Sequence, residues 1–120
     1  MTKDNKQLYL DITMVMRKIG IPVHLKGHDY VRGAIAKVYT DKSYLENLVD
    51  RLYIELAEEY GTSRFAIERG IRSVIESAWL HGNYDAINSI FGYTVDCVKA
   101  KPTNKAFIAT IVDVLRLNNL

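Results

Sequence analysis

The sequence predicts an all-α protein, a compact bundle of about six helices that contains a helix-turn-helix. Apolar residues recur at spacings of three and four along most of the chain, while the period-two alternation that marks strands is nearly absent. The two prolines, Pro22 and Pro102, both fall between periodic segments, where they interrupt no helix.

Each helix has its own stripe and its own stop. Leu8, Ile12, Val15, Met16 and Ile19 form the first, ended by Gly20 and Ile21-Pro22, because proline disfavours helix at the preceding residue. After a connector through Gly27, a second stripe runs through Tyr30, Val31, Ala34, Ile35 and Val38. A third contains Leu45, Leu48, Val49, Leu52 and Leu56 and stops at Gly61. Thr62 and Ser63 are N-cap candidates for a fourth helix from about Arg64 to Leu80, with Ile67, Ile71, Val74, Ile75, Ala78 and Trp79 on its apolar side. Gly82-Asn83 breaks that helix, and a short fifth runs from about Tyr84 to Phe91. Thr103 can cap a last helix bearing Phe107, Ile108, Ile111, Val112 and Leu115.

With 120 residues the chain suits one domain. No apolar run approaches the ~20 residues that a membrane-spanning helix needs. The polar start Met1-Thr2-Lys3-Asp4 lacks the apolar stretch of a secretory signal, and a single cysteine, Cys97, cannot form an internal disulfide. The expected compartment is the cytoplasm. A net charge of +2 does not by itself identify a nucleic-acid binder, so the distribution of charge has to decide.

The third and fourth helices are joined only by about Gly61-Thr62-Ser63, and a short glycine-containing turn between helices is helix-turn-helix geometry. Ala57 is small where the helices must approach, Gly61 follows four residues later, and Ile67 is apolar six residues after that. Opposite the apolar stripe, the fourth helix carries Arg64, Phe65, Glu68, Arg69, Arg72 and Glu76. Arginine can donate two parallel hydrogen bonds to guanine, and a carboxylate can accept one from cytosine N4. The same residues also fit an ordinary solvated face braced by Glu68–Arg72 and Arg72–Glu76 pairs.

Several segments are recognisable in order: Ile19-Gly20-Ile21-Pro22-Val23-His24-Leu25-Lys26-Gly27, Glu68-Arg69-Gly70-Ile71-Arg72, Ala78-Trp79, Gly82-Asn83, Ile90-Phe91-Gly92-Tyr93-Thr94-Val95, and Lys99-Ala100-Lys101-Pro102-Thr103-Asn104. With them the chain resembles, from about Ile12 to Leu117, the C-terminal DNA-binding effector domain of the master response regulator of sporulation initiation (the stage 0 sporulation protein A family). The resemblance implies a helical DNA-binding transcription regulator that reads double-stranded promoter boxes, in tandem or as a dimer, and contacts RNA polymerase sigma factor. It makes Glu68, Arg69 and Arg72 the groove-facing readers, with Phe65 and Ser73 on or beside their face, Lys99 and Lys101 phosphate contacts, and Asn83, Ala86 and Phe91 part of the polymerase-facing segment; Arg64, from the helix face alone, is a further phosphate contact. No cofactor or metal is implied.

The chain departs from that pattern at Phe65-Ala66, where members carry Ser-Arg, at Ser73, where they carry histidine, and at Ile54, where they carry proline. Without the proline the third helix can run on unbroken. The family's phosphoacceptor receiver domain has no counterpart in these 120 residues. The chain therefore reads as a single helix-turn-helix domain over 1–120, either an excised effector or a stand-alone paralogue, and its own N-terminal stretch favours the latter.

An enzyme finds little support, since Cys97 has no neighbouring histidine, His24 and His28 are separated by backbone unsuited to a continuous helix, and His81 is solitary. A protein-interaction module that keeps the bundle but binds sigma factor or the full-length regulator is the second reading, with Phe65 as its best support.

Overall fold

The first apolar stripe becomes α1 (Asn5–Ile19), which buries Leu8, Ile12, Met16 and Ile19. Gly20 ends it at φ +93, with Gly20 N–H donating to the Arg17 carbonyl and Ile21 N–H to the Met16 carbonyl, both at 3.1 Å. This is the paired closure of a Schellman cap, and it turns Ile21 inward beside Met16 in the core. The computed structural model describes residues 5–92 and 101–118.

α2 (Lys26–Thr40) starts one residue before Gly27, so Gly27 is helical and not the end of a connector. Its reason is packing. A Cβ on Gly27 would lie 2.2 Å from the Gly70 carbonyl oxygen, and one on Gly70 would lie 2.7 Å from the Tyr30 ring. Two glycines on facing helices thus let α2 pass against α4 at backbone distance. α2 buries Val31, Gly33, Ala34, Ile35, Ala36 and Val38, residues that point to several sides of a helix, as befits a central helix packed on its neighbours.

The third stripe does not make one regular helix. Lys42–Glu46 form a 3-10 turn, Asn47 breaks the run at φ −148, and Leu48–Leu52 wind as a π turn before α3 (Tyr53–Tyr60). Leu45 therefore lies outside the helix, while the residues from Leu48 continue through Ile54 without interruption. Asp41 and Asn47 explain the break, because their side chains accept backbone N–H bonds from Ser43 and Asp50 and so start new turns. Arg51 bonds Asp41 at 3.0 Å and the Tyr44 hydroxyl donates to Glu55 at 2.7 Å, tying these turns to α3. Hydrogen bonds from the Ser43 hydroxyl and amide, with Arg51, hold the Asp41 carboxyl below the usual carboxylate range.

α4 (Arg64–His81), α5 (Tyr84–Phe91) and α6 (Asn104–Leu117) complete an all-α fold, with six α-helices and no strand among the described residues. Trp79, Phe91 and Phe107 join the last three helices, the Phe91 and Phe107 rings stacked at 5.3 Å and Trp79 edge-on to Phe91 at 5.1 Å. Asn83 N–H donates to the Ile19 carbonyl at 2.8 Å, which fastens the α4–α5 junction to the end of α1.

Candidate nucleic-acid interface

The presentation of α4 begins with how α3 stops. Gly61 adopts φ +65, ψ 41, its N–H donates to the Ala57 carbonyl, and Thr62 N–H reaches the same oxygen at 2.9 Å. Ser63 then caps α4 by accepting from Ala66 N–H at 3.1 Å. Ala57 is buried at the helix crossing and Ile67 is fully buried, so the three spaced positions read from the sequence occupy the corner between two helices. A three-residue connection of this kind is consistent with a helix-turn-helix.

Burial of Ile67, Ile71, Val74, Ile75 and Ala78 fixes the rotation of α4. What remains outward is Phe65, Arg69, Arg72 and Ser73, all exposed, with Arg64, Glu68 and Glu76 partly so. The structure brings seven of the expected residues onto one region: Arg64, Phe65, Glu68, Arg69, Arg72 and Ser73 from α4, and exposed Lys101 just before α6. Lys99 lies outside the described residues.

These side chains are largely paired with one another. Arg64 bonds Asp50 of the π turn at 3.2 Å while its guanidinium sits 5.0 Å from the centre of the Phe65 ring. Arg72 pairs with Glu68 one turn back, and Lys101 reaches Glu76 at 3.2 Å. Arg69 has no ion pair or hydrogen bond among the described residues beyond its helix backbone, which leaves its fork of donors free for a ligand.

Asn104 is a residue that periodicity did not single out. Its side-chain amide donates at 3.2 Å both to the Tyr53 hydroxyl and to the Glu68 carbonyl, joining α6 to α3 and to the N-terminal part of α4. Burial pushes the Tyr53 phenol up, against a smaller pull down from the Asn104 bond, so the phenol keeps its proton at neutral pH. Above this joint opens a cleft of about 500 Å³ lined by Leu48, Val49, Glu68, Arg72, Lys101 and Lys105, among others. Lys101 and Lys105 thus line the same cleft as Arg72. Asn104 closes one of the segments that carry the family resemblance, but only the contact shows its bridging role, since Tyr53 is 51 residues and Glu68 36 residues away in sequence.

The residues expected on the polymerase-facing segment divide. Asn83 is exposed and caps α5 by accepting from Ala86 N–H at 3.0 Å, and Ala86 is partly exposed. Phe91 is not on the surface: it is 0% exposed, because it is the aromatic residue that closes α5 onto Trp79 and Phe107. The outer face of α5 is made instead by Tyr84, Asp85, Asn88 and Ser89.

Among the described residues no group of three or more histidine, cysteine, aspartate or glutamate side chains could hold a metal ion, and no helix is long and apolar enough to cross a membrane. The family model for the C-terminal domain of sporulation initiation factor Spo0A matches residues 12–115.

Proposed function

Because the chain belongs to the Spo0A C-terminal family, whose members are DNA-binding effector domains of a sporulation regulator and not enzymes, we propose that it reads specific double-stranded promoter boxes with the outward face of α4. The observation that carries this is the guanidinium of Arg69, unpaired among the described residues, on a helix whose opposite side is locked into the core. A helix so presented can enter a major groove ~12 Å wide and put arginine against guanine O6 and N7. Arg69 and Arg72 are the base readers, Glu68 orients Arg72 and accepts from cytosine N4, and Phe65 and Ser73 contact the neighbouring bases, Phe65 through a thymine methyl. Arg64 and Lys101 take phosphates on either side. The 1–120 chain acts as one such domain, in the cytoplasm, on tandem or paired sites.

The exposed face of α5, with Asn83 and Ala86 at its start, is the proposed contact for RNA polymerase sigma factor. Selection of bound sequences from random duplex DNA tests the whole reading. Enrichment of one short box supports it; no enrichment, together with capture of sigma factor through Phe65, makes the chain an interaction module instead.

A further inference from the structure

Three cations of the reading region carry carboxylate partners, and the pairs differ in kind. Glu68–Arg72 lies within one helix at i,i+4, as on any solvated helical face. Asp50–Arg64 joins the π turn to α4 and Glu76–Lys101 joins α4 to the stretch before α6, across 14 and 25 residues of sequence. Resting on the DNA-binding reading above, we propose that Asp50 and Glu76 are internal stand-ins for DNA phosphates, counter-ligands that hold Arg64 and Lys101 until duplex DNA displaces them.

Position supports this. Arg64 is the first residue of α4 and Glu76 its thirteenth, so the two pairs are separated by about 18 Å along the helix at 1.5 Å per residue. A helix inserted in a major groove meets a phosphate strand on each side of it, and two cations at that separation can address both. Their carboxylates occupy the same kind of position, an anionic oxygen 3.2 Å from the cationic nitrogen.

Exposure supports it too. The four side chains are 39% and 72% exposed in one pair and 47% and 44% in the other, open to solvent and to an incoming strand. Such pairs contribute little to stability, and a phosphate can exchange with the carboxylate at small cost. The exchange is independent of base sequence, since phosphates carry none. Asp50 and Glu76 therefore weaken binding to all duplexes alike and leave discrimination to Arg69 and Arg72.

The test uses the full chain in anisotropy titrations against two duplexes, one bearing the selected box and one scrambled. Glu76→Gln should tighten both by about two- to fivefold, the range an exposed ion pair spans. The gain should shrink as salt is raised, with the ratio between duplexes unchanged. In a Lys101→Met background Glu76→Gln should bring no gain, and Asp113→Asn, which removes an exposed carboxylate of α6, should bring none in either background. A gain that persists with Lys101→Met, or no gain at all in a wild type that binds both duplexes, overturns the counter-ligand role and leaves the DNA-binding reading standing. If neither the wild type nor Glu76→Gln binds either duplex, both fall. Asp50→Asn with Arg64→Met gives the same comparison at the other end of α4.

Discussion

Arg69 and Lys101 both carry a positive charge at the same surface, yet different chemistry is expected of them. Arg69 is unpaired among the described residues and central on the outward face, so Arg69→Ala should cost roughly 1–3 kcal/mol on the preferred box and relax discrimination at one base pair. Lys101→Ala should weaken all duplexes similarly and lower the salt slope by about one unit. Competition titrations with single-base variants of the box separate the two, and a uniform loss for Arg69→Ala would make it a phosphate contact. Phe91 gives the opposite kind of prediction. Its ring is enclosed by Trp79 and Phe107, so Phe91→Ala should lower stability by about 3–5 kcal/mol in urea unfolding, where a surface contact would leave the midpoint unmoved. Which residues face outward on α4 was legible in the sequence, because five buried aliphatic positions fix its rotation. Phe91 was not, since a single aromatic at the end of an eight-residue helix can lie on either side until its partners, 12 and 16 residues away, are known.

Glycine enters the elements in two ways that one substitution separates. At Gly27 the obstacle is steric: an added Cβ meets the Gly70 carbonyl at 2.2 Å, so α2 and α4 must part. Gly27→Ala should cost about 1–3 kcal/mol as overpacking and, by tilting α4, also weaken DNA binding. At Gly61 nothing lies within 4 Å of an added Cβ, and only the left-handed backbone objects. Gly61→Ala should therefore cost about 1–2 kcal/mol, with Gly61→Asn milder, because asparagine tolerates that region better. Thermal melts of the three variants would refute this if Asn and Ala at position 61 proved equal. Asn83, read only as a helix break, also caps α5, whereas two caps were readable at this scale: Ser63 and Thr103 each accept the expected N–H of the helix that follows. The Asn47 break and the π turn were not, because an unbroken apolar stripe from Leu45 to Leu56 says nothing about how tightly the chain winds beneath it.

For the molecule as a whole, duplex affinity should fall linearly with the logarithm of salt concentration. Displacing counterions at Arg64 and Lys101 alone sets a slope of about −2, each phosphate contributing roughly −0.9. Titrations at several salt concentrations check it, and a flat dependence would sink the groove-binding reading. The all-helical class was legible from period alone, whereas the surface straps were not, since the partners of Arg64 and Lys101 come from other elements. The aromatic joint of α4, α5 and α6 has a further, optical consequence. Trp79 is the only tryptophan, and it sits ten positions beyond Arg69, about 15 Å along the helix. Its emission is therefore a native gauge of whether the three helices are docked, readable without any dye and set well back from the bases that α4 would meet.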